Sequence, residues 1–178
     1  MARQIALLRG INLGPNRRLS MADLRDVMHG LGYEDAKTLL QSGNVVFSAP
    51  QAPKTVAGRI EKRLARETGL EVDVVVRTRN ELAKIVARNP LAEHVTDPKR
   101  YLVVFLSAKP KAKALGEVDA AEFEPERFAV EGREIYTWLP GGVQKAKLTH
   151  AFWEKRLGVT ATARNWNTVE KLLTLADE

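Results

Sequence analysis

The chain has 178 residues, of which 44% are apolar and 28% are charged, so it can bury one or two folded cores and is not a disordered chain. It contains no cysteine, which excludes a disulfide scaffold, a thiolate metal site and a cysteine nucleophile. The net charge of +6 lies in residues 1–89, which contain 15 Lys and Arg against 9 Asp and Glu, whereas residues 90–178 contain 13 of each. A basic half suits an anionic partner such as phosphate, a nucleotide or nucleic acid, but it also suits solubility alone.

The N-terminal sequence predicts a cytoplasmic protein. Its apolar run after Gln4 is interrupted at Arg9, which is too early for a secretory signal peptide. No stretch approaches the roughly 18 apolar residues that a membrane span requires, so we expect no membrane association.

In the first half, apolar runs and turn residues predict the order β-α-β-β-α-β, followed by a helix. The predicted strands are Gln4–Leu8, Thr38–Gln41, Asn44–Phe47 and Val72–Val76. The predicted helices are one that begins after a Ser20–Asp23 capping box and stops at Gly32, then Pro53–Thr68 and Glu81–Arg88. Gly43 lies at the turn of the predicted hairpin.

The second half repeats this order. The predicted strands are Tyr101–Leu106, Phe128–Val130, Glu134–Trp138 and Val159–Ala163, with a hairpin turn at Gly132. The predicted helices are Lys109–Val118, Lys147–Leu157 and Asn167–Ala176, the last with Asn167 as its cap. We therefore predict an α+β fold of two tandem ferredoxin-like (βαββαβ) subdomains, residues 1–89 and 90–178, related by internal duplication, each an antiparallel sheet with helices on one face.

Four groups of residues, spread over nearly the whole chain, closely resemble a widespread bacterial family of unknown function. They are Ala6–Gly14, Met21–Leu24, Gln41–Phe47, and Thr162–Val169 with Lys171-Leu172. The resemblance implies two tandem ferredoxin-like subdomains and implies no activity. The chain departs from the family at Pro15, where a second glycine is usual, and at Ala146, where a serine is usual. No role of that serine can be carried over.

The segment between the first strand and first helix is the strongest candidate for a ligand site. It contains Arg9, Asn12, Gly14, Arg17 and Arg18, and it leads into a helix N-terminus. Glycines let backbone N–H groups converge on an anion, the helix dipole adds favourable potential, and arginine binds phosphate with a planar fork. The lysine and spacing of a Walker loop are missing. The alternative is a solvated turn whose glycines only shape the backbone.

Three further segments are candidates, and each also has a purely structural interpretation. Their residues are Gln41, Ser42 and Asn44 in the first hairpin, Lys147 in a glycine-containing loop, and Arg164, Asn165 and Trp166 before the last helix. The hairpin residues could form only a turn, and Lys147 could be a solvated charge. Trp166 could be a core anchor, or it could stack on a base or sugar beside Arg164.

Several classes of site are unsupported. The three histidines lack metal-ligand spacing, no Gly-x-Ser-x-Gly elbow occurs, and no catalytic residue can be named, so we expect no metal and no cofactor. We predict a protein that binds an anionic phosphate- or nucleotide-like ligand in a cleft between the subdomains. One alternative is a phosphoryl or acyl-phosphate hydrolase that uses the same groups. Another is a nucleic-acid-binding protein, although the sheets offer few aromatics for RNA, namely Phe47, Tyr136 and Trp138.

Overall fold

The structure, a computed structural model, describes residues 1–178 and divides them into two compact units. The first unit consists of Met1–Lys84 together with Lys171–Glu178, and the second consists of Ile85–Glu170. The first unit is therefore built from two separate parts of the chain, whereas the sequence suggested a single division after residue 89. None of the helices combines the length and the apolar character that a membrane span requires.

The first unit has a four-stranded antiparallel sheet with the strand order β2-β3-β1-β4. The strands are β1 (Ala2–Leu8), β2 (Lys37–Leu39), β3 (Asn44–Ala49) and β4 (Val74–Thr78). The helices of this part of the chain are α1 (Met21–Gly30), α2 (Pro53–Thr68) and α3 (Arg79–Arg88). This strand order, with helices between β1 and β2 and between β3 and β4, is the predicted ferredoxin-like arrangement.

The core of the first unit lies between the sheet and the helices α1 and α2. Val56, Ile60 and Leu64 follow one another at helical spacing on α2, and all three are fully buried in the same cluster as Leu8 and Phe47. Helix α1 begins where Ser20 accepts a hydrogen bond from the backbone N–H of Asp23 at 3.0 Å, as the capping box predicts. Burial of one helix face therefore sets the layer structure of this unit.

Contacts of Lys171–Glu178 explain why these residues belong to the first unit. The Arg79 guanidinium donates to both carboxylate oxygens of Asp177, at 2.6 and 3.1 Å. Arg3 donates from Nε to the carbonyl oxygen of Ala176 at 3.2 Å. A bidentate charged pair and a hydrogen bond to backbone thus join this terminal segment to β1 and to the start of α3.

The second unit has the corresponding sheet, with the strand order β6-β7-β5-β8 and all pairs antiparallel. Its strands are β5 (Tyr101–Leu106), β6 (Arg127–Glu131), β7 (Glu134–Trp138) and β8 (Ala161–Asn165). Its helices are α4 (Ala112–Gly116), α5 (His150–Leu157) and the first part of α6 (Trp166–Ala176). The chain thus forms two tandem ferredoxin-like subdomains.

The helices of the second unit differ from the predicted ones at their ends. Helix α4 (Ala112–Gly116) is shorter at both ends than the predicted helix Lys109–Val118. Helix α5 begins three residues later than predicted, because Thr149 caps it by accepting a hydrogen bond from the N–H of Phe152 at 3.1 Å. The prediction that Asn167 caps α6 is wrong. The cap is Asn165, whose Oδ1 accepts from the N–H of Thr168 at 2.9 Å.

All three tyrosines of the chain are buried, and burial raises the pKa of each phenol. The pKa of Tyr101 rises from 10.0 to about 12, and Tyr136 donates from its hydroxyl to the carbonyl oxygen of Ile85 at 2.6 Å. The unfolded chain loses tyrosine protons near pH 10, whereas the folded chain keeps them, so stability must fall as pH rises from about 10 to 12.

We expect alkaline titration of the native protein to show less tyrosinate absorbance near pH 10 than the unfolded chain shows, and the urea midpoint to decrease steadily above that pH. Tyr101→Phe should remove part of the decrease, because phenylalanine has no proton to lose. Full ionisation of three tyrosines near pH 10 in protein that remains folded would contradict this expectation.

Candidate functional site

The basic loop, residues 9–20, is held in shape by the side chain of Asn12. Its Nδ2 donates to the carbonyl oxygens of Leu19 at 2.8 Å and Gln41 at 2.7 Å, and its Oδ1 accepts from the N–H of Leu19 at 2.9 Å. The backbone N–H of Asn12 donates to the carbonyl oxygen of Arg17 at 3.0 Å, which closes the loop on itself. Asn12 also has a φ of 56°, a left-handed conformation that asparagine tolerates better than most residues. Asn12, a predicted ligand residue, therefore joins the loop to the first hairpin.

The three arginines of the basic loop have different roles. Arg17 donates from Nε to the carbonyl oxygen of Gly10 at 3.1 Å and from Nη2 to that of Glu71 at 2.9 Å, so its guanidinium plane is fixed. Arg9 is half-buried and interacts within the protein. Arg18 is exposed and has no hydrogen-bond or ion-pair partner. The loop thus has one fixed guanidinium and one free one.

The backbone of the basic loop has several unused donors. The N–H groups of Leu13, Gly14, Asn16, Arg17 and Arg18 donate to no acceptor in the protein. A run of five such groups within six residues, next to two arginines, is an arrangement that suits an anion.

The first hairpin lies against the basic loop, but its polar residues serve the hairpin itself. Asn44 is fully buried and donates from Nδ2 to the carbonyl oxygen of Leu39 at 2.7 Å and to Ser42 Oγ at 2.9 Å. Gly43 has a φ of 87°, and a Cβ placed on it would lie 2.7 Å from Cδ1 of Ile11. Of the three predicted hairpin ligands, Gln41 has an exposed side chain and contributes its carbonyl oxygen to Asn12.

In the second unit, Arg164, Asn165 and Trp166 already have partners. Arg164 is only 7% exposed and donates from Nη1 to Thr162 Oγ1 at 2.7 Å and to the carbonyl oxygen of Ala163 at 2.9 Å. Its burial lowers the guanidinium pKa to about 10. Asn165 caps α6, and the Trp166 ring stacks on Tyr101 with 4.9 Å between the ring centroids. Trp166 lies in the core of its unit. Of the two roles that the sequence allowed, core anchor and stacking platform, this position fits the core anchor.

The glycine-containing loop before α5 binds an anion that belongs to the protein. The backbone N–H of Lys147 lies 3.1 Å from each carboxylate oxygen of Glu126, and the N–H of Leu148 donates to Glu126 Oε1 at 3.0 Å. The side chain of Lys147 is exposed. Sequence reasoning missed Glu126, and no signal could have found it, because its partners are backbone groups 21 and 22 residues away.

An open acidic groove of about 460 Å³ lies beside α2 in the first unit and is lined in part by Glu61, Glu71 and Asp73. The Glu61 carboxylate accepts from the N–H of Val74 at 3.0 Å, and burial raises its pKa, as does the nearby charge of Asp73. No group of three or more His, Cys, Asp or Glu side chains is placed to hold a metal ion. The groove has the wrong charge for the predicted anionic ligand.

Comparison with known proteins identifies the family of the chain. A family model described as "Protein of unknown function (DUF1697)" matches residues 1–136, which is more than half of the chain. The chain belongs to the DUF1697 family. The matched region includes the predicted family motifs of the basic loop and the first hairpin, whereas residues 162–172 lie outside it.

One solved structure of the same fold is "conserved bacterial protein SP0830 from Streptococcus pneumoniae". It superimposes with a TM-score of 0.73 over 98% of this chain and 98% of its own, at 18% sequence identity. At that identity the likeness supports the fold alone. No curated protein matches the chain.

Proposed function

We propose that this member of the DUF1697 family binds a phosphate-like anion at the basic loop of its first unit. The observation that supports the proposal best is the run of unpaired backbone N–H groups between Leu13 and Arg18, held in place by Asn12. Backbone donors that are already fixed lose little conformational entropy when an anion binds. The fixed guanidinium of Arg17 and the free one of Arg18 add two positive charges beside them.

The binding site that we propose consists of first-unit residues only. Arg164 and Trp166 are buried with partners of their own, so they add nothing that an anion at the loop would require. The hydrolase alternative has no specific support, because the Asn44 amide that could orient a water already donates to Leu39 and Ser42.

Nucleic-acid binding is likewise weakly supported. An RNA-binding sheet exposes aromatic rings for bases to stack on. Phe47, Tyr136 and Trp138 are all buried, with exposed fractions of 0%, 0% and 6%. These rings therefore provide no exposed stacking surface of the kind that single-stranded nucleic acid uses.

The proposal can be tested with inorganic phosphate and pyrophosphate. We expect both anions to raise the melting temperature and to give saturable heats of binding in calorimetry. Arg18→Gln should weaken pyrophosphate binding about tenfold, since a charge-assisted hydrogen bond contributes about 1.5 kcal/mol or more and 1.4 kcal/mol corresponds to a factor of ten. Arg66→Gln, which changes an exposed arginine of α2, is the matched control and should leave binding unchanged.

Two results would contradict the proposal. One is the absence of binding by either anion at low salt. The other is equal weakening by Arg18→Gln and Arg66→Gln, which would indicate attraction by net charge alone. Binding of single-stranded DNA that falls steeply with salt, without binding of pyrophosphate, would favour the nucleic-acid alternative.

A further inference from the structure

The second unit contains an apolar cavity of about 140 Å³. One side is formed by the sheet, through Leu102, Val104 and Ala163, and the other by the segment 143–149, through Val143, Ala146 and Leu148. This cavity lies within the second unit and shares no residue with the basic loop.

The cavity exists because the helices of the second unit cover less of their sheet. The connection from β3 to β4 has 24 residues (50–73) and that from β7 to β8 has 22 (139–160), yet α2 has 16 residues and α5 only 8. At 1.5 Å per residue, α2 is about 24 Å long and α5 about 12 Å. Coil therefore replaces about two turns of helix over this sheet, and coil fills space less completely.

The strand register shows the same difference at Gln4 and Leu102, which occupy equivalent positions in the two sheets. Gln4 of β1 lies three residues before Leu7, which pairs with the first residue of β3. Leu102 of β5 lies three residues before Phe105, which pairs with the first residue of β7. Gln4 is 1% exposed, whereas Leu102, an apolar side chain on a central strand, is only half-buried. Leu102 is thus partly exposed to solvent at the position where Gln4, its counterpart in the first unit, is buried.

The segment that covers the cavity is held in place and does not collapse onto the sheet. The Glu126 carboxylate accepts from the backbone N–H groups of Lys147 and Leu148. At one end Gly142 adopts a φ of 90°, and at the other Thr149 caps α5. The hydrogen bonds to Glu126 fix the backbone of this segment and so preserve the cavity beneath it.

We infer that this cavity is a binding site for a small uncharged group of about six carbon atoms, such as an aromatic ring or a branched hydrocarbon chain. A closed apolar cavity of about 150 Å³ accepts benzene-sized ligands, and this cavity has a similar volume. Three polar residues line the cavity. The hydroxyl of Thr137 is fully buried and donates to the carbonyl oxygen of Leu102 at 3.4 Å, the hydroxyl oxygen of Thr149 caps α5, and His150 is the first residue of α5. No Asp, Glu, Lys or Arg side chain lines the cavity, so a charged ligand would lose its hydration there without gaining a permanent countercharge, and the cavity favours uncharged ligands.

Toluene is a suitable probe, titrated into the full chain while methyl resonances are followed by NMR. We expect saturable shifts at the methyl groups of Leu102 and Val143 and none in the first unit. Ala163→Leu should fill the cavity and weaken toluene binding more than tenfold. Ala151→Leu adds the same atoms to an exposed position of α5 and should leave binding unchanged.

Ala146→Leu fills the same space from the covering segment, so the test remains decisive if Ala163→Leu does not fold. Loss of binding in either filled variant, with binding retained in Ala151→Leu, would support the site. The absence of saturable shifts up to the solubility of toluene would overturn it, as would equal binding by all the variants. Because the probe is uncharged and the anion proposal concerns the other unit, the result is independent of pyrophosphate binding.

Discussion

Gly43→Ala is expected to lower the free energy of unfolding by about 2–5 kcal/mol. An L residue in the left-handed region costs roughly 1–2 kcal/mol, and overpacking of a core typically costs 1–3 kcal/mol more. Both terms apply, since Gly43 has a φ of 87° and its new Cβ would lie 2.7 Å from Ile11 Cδ1 and 3.0 Å from Leu8 Cβ. Ile11 and Leu8 are each at most 1% exposed, so neither can move away into solvent.

The second unit supplies a matched control for this substitution. Gly132 lies at the turn of the hairpin between β6 and β7 with a φ of 61°, but a Cβ there would meet nothing within 4 Å. Gly132→Ala should therefore cost only the backbone strain, about 1–2 kcal/mol. Urea denaturation of both variants gives the comparison. Ile11→Val removes the nearest methyl group and should be less destabilising in the Gly43→Ala background than alone. Equal losses for the two glycine variants would contradict the packing argument.

Asn12→Ala is expected to lower the free energy of unfolding by about 4–5 kcal/mol. The substitution removes three side-chain hydrogen bonds to backbone groups of Leu19 and Gln41, each worth about 1 kcal/mol. It also places alanine at a φ of 56°, which adds roughly 1–2 kcal/mol of strain. Because the N–H of Leu19 loses its acceptor, hydrogen exchange at that amide should accelerate along with the loss of global stability.

Asn16→Ala is the control for Asn12→Ala. Asn16 is an exposed asparagine of the same loop with no hydrogen bond in the protein, so its replacement should change stability by no more than about 0.5 kcal/mol. If both variants were equally stable, Asn12 would not be what joins the loop to the hairpin. Anion binding measured on Asn16→Ala also tests whether this exposed amide contributes to the proposed site.

The elements with strong local signals could be predicted from the sequence. The bounds of α2 were predicted correctly from its periodic apolar residues and from Gly69, the glycine that ends it. The order of strands and helices along the chain was predicted correctly from apolar runs that alternate with glycine turns. The fixed position of the segment before α5 could not be predicted, since it depends on Glu126, a distant carboxylate that accepts from the N–H groups of Lys147 and Leu148. Local pattern carries no information about a partner that only folding brings near.

The same limit applies to the candidate site. The sequence identified the basic loop and the hairpin as separate candidate segments, and the structure joins them through Asn12 and Gln41. It could not distinguish a polar side chain that faces a ligand from one that binds backbone. Asn44 and Asn165 both proved to serve backbone or side-chain groups of their own turns, and only their hydrogen-bond partners reveal this.

The two-part construction of the first unit has a consequence for the order of events during synthesis. A ribosome releases residues 1–84 well before residues 171–178, and the whole second unit is made in between. Until then Arg3 lacks its acceptor at Ala176, and Arg79 lacks the carboxylate of Asp177. Domains usually fold as units in the order of translation. Here the first unit is completed only after the second has been synthesised, so its contacts with residues 171–178 form late.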